Sequence, residues 1–233
     1  MELKDARVLL VGATGVLGRL LADRLSAAGS RLVVTGRHVG RLSAVAERVT
    51  AVEQLLLDVV DVEAGAHAVT DAATALGGLD SIVIASGVAA FGSARDDDDA
   101  VVEELFAVNT LGPIALVRAA LGHLSPGGSV VVITAVLADV PTAQMAAYSG
   151  SKAAISAYLT ALRREVRRDK ITVLDVRPPH LDTGLADRPL AGQAPRMPAG
   201  HDIGEVIDLM IEGMATDRSE LVADLGHRTV RLQ

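Results

Sequence analysis

Two rhythms of apolar and polar positions alternate along this chain. Six short runs are apolar at nearly every position: "RVLLVGA" (7–13), "RLVVTG" (31–36), "VEQLLLDV" (52–59), "DSIVIASG" (80–87), "SVVVITA" (129–135) and "ITVLDVRP" (171–178). Continuous apolar runs of this length, rich in β-branched residues, are the pattern of strands buried on both faces. Between them lie segments with helical spacing, at 16–29, 38–49, 62–78, 96–124 and 146–168. A last helical segment, 203–215, precedes the short apolar stretch "ELVADL". Gly29 and the glycine pair at 77 and 78 stand where helices end. Asp96 to Asp99 open the long fourth helix, where carboxylates complement the helix dipole. No histidine or further acid is placed to turn that run into a metal site, and none is expected. Strand–helix alternation predicts a parallel sheet of about seven strands with helices on both faces and right-handed crossovers. Nothing divides the chain into parts, so a single domain over 1–233 is expected. The Pro- and Gly-rich stretch 178–202 is longer than most connections and reads as a covering loop.

Composition narrows the function classes. Hydrophobic residues make up 50% of the chain and aromatics 2%, so the core is built from Ala, Val, Leu and Ile. Stacking platforms for single-stranded nucleic acid need aromatics. A net charge of −7 also argues against nucleic acid or an anionic membrane as a partner. The chain has no cysteine, which excludes disulfides, thiolate metal sites and a Cys nucleophile. No uninterrupted apolar run reaches the length of a membrane span, and "MELKDARVLLVG" lacks the features of a signal peptide. A soluble, cytoplasmic protein is the expectation.

The first strand runs into "GATGVLG", with glycines at 12, 15 and 18 directly before a helix. This is where a Rossmann-type doubly wound sheet binds a dinucleotide. Gly12 permits the turn, Gly15 lets a pyrophosphate approach the backbone, and Gly18 lets helix and strand pack closely. The anion then faces the free N–H groups of the helix N-terminus, with Thr14, Val16 and Leu17 in the same turn. The second strand ends in Gly36-Arg37, where an NAD-binding chain usually places an acid about 20 residues past the glycines. A guanidinium suits a 2′-phosphate by charge and fork geometry, so NADP(H) is favoured over NAD(H), with Arg41 as a competitor for the phosphate. Asp58 and Val59 end the third strand, beside the adenine edge.

The stretch "AAYSGSK" (146–152) holds one of two tyrosines and one of three lysines in a chain with nineteen arginines. At i and i+4 on a helix, Tyr148 and Lys152 share a face. A nearby ammonium favours the phenolate and lowers a phenol's pKa. The motifs "GATGVLG", "LDVVD", "FAVNTLG", "AAYSGSK" and "RPPHLDT", in that order, resemble the short-chain dehydrogenase/reductase family over nearly the whole chain. The resemblance implies hydride transfer between NAD(P)(H) and a carbonyl or alcohol. It makes Tyr148 the general acid/base and Lys152 the ribose ligand that tunes it. It makes Asn109 the support of Lys152, and it places Ala85, Ser86, Gly87, Pro178 and Thr183 along the cofactor. Pairing of the 99–122 and 148–168 helices between subunits, as in the family, implies a homodimer or homotetramer.

Three positions depart from the family pattern. The catalytic serine position, thirteen residues before Tyr148, is Ala135; the neighbouring Thr134 is the candidate replacement, although alternation along a strand turns it the other way. The usual Asn-Asn-Ala-Gly is "IASG" (84–87), and the usual Pro-Gly is Pro178-Pro179. The first function hypothesis is therefore an NADP(H)-dependent oxidoreductase. The alternative is a catalytically weak or non-enzymatic NADP-binding sensor or scaffold. A Thr134 hydroxyl facing Tyr148 across one cavity supports the first; a Thr134 buried behind the strand supports the second. An epimerase or dehydratase, resting on the glycine spacing alone, is a weaker third. The 178–202 loop offers His180, Arg188, Arg196 and His201 to a polar substrate, or Leu185, Leu190 and Met197 to an apolar one, and the sequence does not choose.

Overall fold

A computed structural model describes residues 1–233. Its centre is one eight-stranded sheet. The elements are β1 (Arg7–Val11), α1 (Val16–Ala27), β2 (Arg31–Gly36), α2 (Val39–Val49), β3 (Glu53–Leu56), α3 (Val62–Leu76), β4 (Leu79–Ile84), α4 (Asp99–Phe106) and α5 (Gly112–Leu121). They continue with β5 (Leu124–Ile133), α6 (Ala146–Glu165), β6 (Thr172–Arg177), α7 (Ile203–Ala215), β7 (Glu220–Asp224) and β8 (Thr229–Leu232). Strand order is β3-β2-β1-β4-β5-β6-β7-β8; the first seven are parallel and β8 returns antiparallel against β7. The order reverses between β1 and β4. In doubly wound folds, ligands sit beyond the carboxyl ends of the strands at that reversal.

Alternation along each strand feeds two cores. Leu9 and Val11 face the layer of α3, α5 and α6, whereas Val8 and Leu10 face the layer of α1, α2 and α7. The central residues of β1 and β4 are fully buried aliphatics. Each contributes about 1.5–3 kcal/mol, which anchors the strand ends that carry the site.

The structure corrects four expectations. The sheet has eight strands, not about seven. β3 ends at Leu56, so Asp58 and Val59 lie in the turn beyond it. Leu56 is 61% exposed at the sheet edge, and the ladder with β2 stops at Gly36. β5 begins at Leu124 rather than 129, because Leu124 pairs with Leu79 ahead of a bulge. The long helix is two α-helices joined by a π-helical segment, Ala107–Leu111. Asp98 is its N-cap, accepting from the Ala100 N–H at 2.9 Å. Such π segments widen the helix by one residue and occur often at functional sites. The whole rod, Asp99–Leu121, is long and apolar enough to cross a membrane by length and composition alone. Here its apolar face, including Leu105, Val108, Leu116 and Val117, is buried within the fold.

Candidate active site

The turn after β1 is built around its glycines. Gly12 has φ +80°, and a Cβ there would stand 2.9 Å from the Ser86 nitrogen. A Cβ on Gly18 would stand 2.2 Å from the Gly12 carbonyl oxygen, so helix and turn touch only because both lack side chains. A Cβ on Gly15 would meet only the Gly12 carbonyl oxygen, at 3.5 Å, and Gly15 is the N-cap of α1 with no side-chain cap, so no side chain satisfies the first-turn N–H groups. Gly36 is pressed by Thr14, whose Cγ2 would be 2.7 Å from an added Cβ. Next to it, Arg37 is exposed and makes no hydrogen bond or ion pair within the chain. A cleft of about 300 Å³ is lined by Arg37, Leu56, Leu57, Asp58, Asp61 and Ala64. Two buried hydroxyls at these strand ends, Thr35 Oγ1 and Ser86 Oγ, have no hydrogen-bond partner in the chain. Glycine cradle, open helix N-terminus, free guanidinium and orphan hydroxyls together fit a dinucleotide.

The second half of the site lies at the ends of β4, β5 and β6. Tyr148 and Lys152 occupy one face of α6 and are both buried, at 8% and 5% exposure. Lys152 Nζ donates to the Ile133 carbonyl at 3.3 Å. A Cβ on Gly87 would lie 3.2 Å from that nitrogen and 3.3 Å from Asn109 Oδ1, so these three positions meet. Asn109, in the π segment, grips the backbone of Val88 from both sides: its Oδ1 accepts from the Val88 N–H at 3.0 Å and its Nδ2 donates to the Val88 carbonyl at 2.9 Å. Nδ2 also donates to Ser151 Oγ at 3.1 Å, and Thr110 donates to the Ser151 carbonyl at 2.8 Å. The widened turn is thus fastened both to the β4 end and to α6. Ala85 extends β4 by donating to the Val11 carbonyl, Pro178 accepts from Val136, and Thr183 closes a tight turn onto Leu181.

Burial, not the neighbouring ammonium, sets the phenol. It pushes Tyr148 up to about 12, and it pushes Lys152 down to about 8 against the opposing pull of Asp175. The lowering of Tyr148 expected from the Tyr–Lys spacing is therefore outweighed by desolvation.

Thr134 turns away from Tyr148. Its hydroxyl donates to Asp175 Oδ1 at 2.6 Å, with the Val176 carbonyl 3.1 Å away. Ser156 donates to the other carboxylate oxygen at 2.5 Å. Asp175 is fully buried at the centre of β6, and that burial raises its pKa against both hydroxyls and Arg177. Strand alternation puts the Thr134 side chain on the same face of β5 as Val130 and Val132, towards the middle of α6, where Asp175 and Ser156 engage it. So the expectation that Thr134 replaces the missing hydroxyl fails on orientation. Sequence reasoning missed Asp175, Ser156 and Ser151. A lone carboxylate inside the apolar run "ITVLDVRP" was the available signal for the first, because such a residue must find buried partners.

The fold and this constellation define a doubly wound nucleotide-binding domain with a Tyr-x-x-x-Lys pair at the carboxyl edge of its sheet. The model of the short chain dehydrogenase family matches residues 6–193, and the chain belongs to that family. It is 30% identical over 202 residues to dehydrogenase/reductase SDR family member 7B of Xenopus tropicalis, covering 82% of this chain and 65% of that one. The mouse and bovine counterparts are each covered over 60% of their length, so the chain spans under two thirds of these relatives. An uncharacterised oxidoreductase of Methylorubrum extorquens is 32% identical over 187 residues, covering 78% of this chain and 75% of that one. Among solved structures, a short chain dehydrogenase from Burkholderia cenocepacia in complex with NADP superposes with TM-score 0.81 at 29% identity, covering 92% of each chain. One from Streptomyces avermitilis gives 0.82 at 26% identity, covering 96% of this chain and 90% of that one.

Two outcomes test this geometry. Thr134→Val removes a donor from buried Asp175 and is expected to destabilise the fold by about 1–3 kcal/mol in urea unfolding. A loss of turnover with unchanged stability would instead put its hydroxyl at the substrate. Lys152, held near 8 in the fold against 10.5 in an unfolded chain, binds fewer protons when folded between those values. Its charge therefore opposes folding below pH 8, and stability recovers as pH rises through the window. Lys152→Met should stabilise the protein at pH 7 by on the order of 3 kcal/mol, with the advantage shrinking towards pH 10.

Proposed function

We propose that the chain is an NADP(H)-dependent oxidoreductase that reduces the carbonyl group of a small molecule, with Tyr148 as its general acid. The observation that carries this reading is the meeting of Tyr148, Lys152, Asn109 and Gly87 at the strand ends, one side of the glycine cradle. A pure nucleotide binder has no use for a buried phenol and ammonium at that place. The bound nicotinamide supplies the hydride to the carbonyl carbon. Tyr148, which keeps its proton up to about 12, gives that proton to the oxygen and regains one from solvent. This protonation state suits reduction better than the reverse reaction, which needs the phenolate at the start. Lys152 and the Val88 backbone that Asn109 holds would position the nicotinamide ribose. Arg37, without a partner in the chain, would meet the 2′-phosphate, and NADP bound to the Burkholderia relative supports that choice. A homodimer or homotetramer through the α4–α5 rod is supported by Leu111, a large apolar side chain 59% exposed on its surface.

One observation favours the second reading, a nucleotide-binding sensor or scaffold. Ala135 supplies no hydroxyl to a substrate oxygen, and the Thr134 hydroxyl is engaged by buried Asp175. Loss of one such donor lowers the rate by roughly a hundredfold or more. A slow reductase is consistent with that loss, because the acid itself is retained.

Titration with NADPH and NADH, followed by fluorescence, separates the cofactors. NADPH should bind more tightly, and Arg37→Ala should weaken NADPH by roughly ten- to a hundredfold with little effect on NADH. Tyr148→Phe should lower carbonyl reduction by about a hundred- to ten-thousandfold while NADPH still binds. Full turnover in that variant would end the assignment.

A further inference from the structure

Asp175 has a place that packing alone does not explain. It is fully buried, and it interrupts the apolar run of β6 on the face that turns Val173 towards α6. A hydrophobic residue of like size fills such a position with little or no loss of stability, whereas a carboxylate must be given partners. Ser156 and Thr134 give one hydroxyl to each carboxylate oxygen, at 2.5 Å and 2.6 Å. Neither brings a positive charge. Arg177 stands beside it, but its Nε stops 3.7 Å from Asp175 Oδ2 and has no hydrogen-bond partner. The other Arg177 nitrogens are engaged by Asp139 at 2.9 Å and by Glu220 at 2.6 Å. Glu220 also takes Arg163, at 3.3 Å.

Three carboxylates, Asp139, Asp175 and Glu220, thus meet two guanidinium groups, Arg163 and Arg177, and one negative charge is left over. The cation that balances it is on α6. Ser156 lies four residues after Lys152, on the same face and one turn along. Lys152 Nζ donates to the Ile133 carbonyl at 3.3 Å, and Ile133 pairs with Val176, the chain neighbour of Asp175. Ammonium and carboxylate are therefore enclosed in one layer, between α6 and the strands β5 and β6. The other side chains that meet them there are Tyr148 on α6, which keeps its proton up to about 12, and the uncharged Asn109 and Ser151. The charge of Asp175 pulls Lys152 upward against its burial.

We propose that Asp175 is a positioning residue for the cofactor: its carboxylate, fixed by Ser156 one turn along α6, holds Lys152 in the charged form that meets a nucleotide ribose. This rests on the nucleotide-binding part of the reductase reading. Asp175 acts through Lys152 and needs no contact with cofactor or substrate.

The chain has three lysines, Lys4, Lys152 and Lys170, so carbon-13 at lysine Cε gives three NMR signals, and Lys152→Met assigns the buried one. In the unaltered protein that signal should titrate near 8. Asp175→Asn keeps a partner for both hydroxyls and removes the charge, and it should move the titration down by about one unit or more. Asp175→Leu, which leaves Thr134 the Val176 carbonyl, is a second neutral variant should the amide not fold, and it should shift the signal in the same direction. NADPH titrations followed by fluorescence between about pH 6.5 and 9 read the consequence. Each neutral variant should bind about fivefold more weakly than the unaltered protein at pH 8, and within about twofold of it at pH 6.5. An unmoved Lys152 titration would overturn the proposal. So would an affinity loss of the same size at every pH, which a merely structural role for Asp175 predicts. An unaltered protein that binds no NADPH at any pH would sink the nucleotide reading and the positioning role with it, whereas a shifted Lys152 signal would still sustain the charge pairing.

Discussion

Everything near the reactive end depends on keeping one ammonium group out of water. Lys152 is buried on α6 beside Gly87, Asn109 and the end of β5. The chain gives it a single direct acceptor, the Ile133 carbonyl, and the more distant negative charge of Asp175. A methyl group at Gly87 would crowd both Lys152 and Asn109. Asn109 must leave the regular helix because it has to reach the Val88 backbone, and the π segment supplies the extra residue that allows this. A nucleotide ribose would give the ammonium the acceptors that the protein withholds. Its desolvation therefore links folding to cofactor binding.

The larger part of this architecture was legible in the amino-acid sequence, because local pattern and global fold agree along most of the chain. Strands buried on both faces announce themselves as continuous apolar runs, and β1, β2, β4 and β6 fall where those runs stand. β8 was not legible. Its four residues alternate exposed Thr229 and Arg231 with Val230 and Leu232, and only pairing with β7 makes them a strand. The break in the α4–α5 rod was hidden for a similar reason. A π segment has no local signature in "FAVNTLG"; it follows from a contact between Asn109 and a segment twenty-one residues earlier.

The site residues divide along the same line. Gly12 and Gly18 are dictated by close approaches of backbone to backbone, so their place in the glycine spacing identifies them. Tyr148 and Lys152 follow from helical geometry. The direction of Thr134 also followed from strand alternation, and the structure obeys that rule rather than the functional wish for a hydroxyl at the site. The choice between polar and apolar members of the 185–202 loop was not legible. Side chains on an irregular loop have no period, and only the packing of Leu185, Leu190 and Met197 against the cluster of Phe91, Met145 and Tyr148 shows which of them point into the fold.

Asp175 completes this picture. It is fully buried at the centre of β6, where Thr134 and Ser156 satisfy it. Its negative charge lies close enough to Lys152 to oppose the lowering that burial imposes on the ammonium. Tyr148 has no such counterpart, and burial alone keeps its proton up to about 12. The same seclusion from water thus favours the neutral form of both groups, and the carboxylate restrains only the second of them, which keeps the ammonium available to a nucleotide.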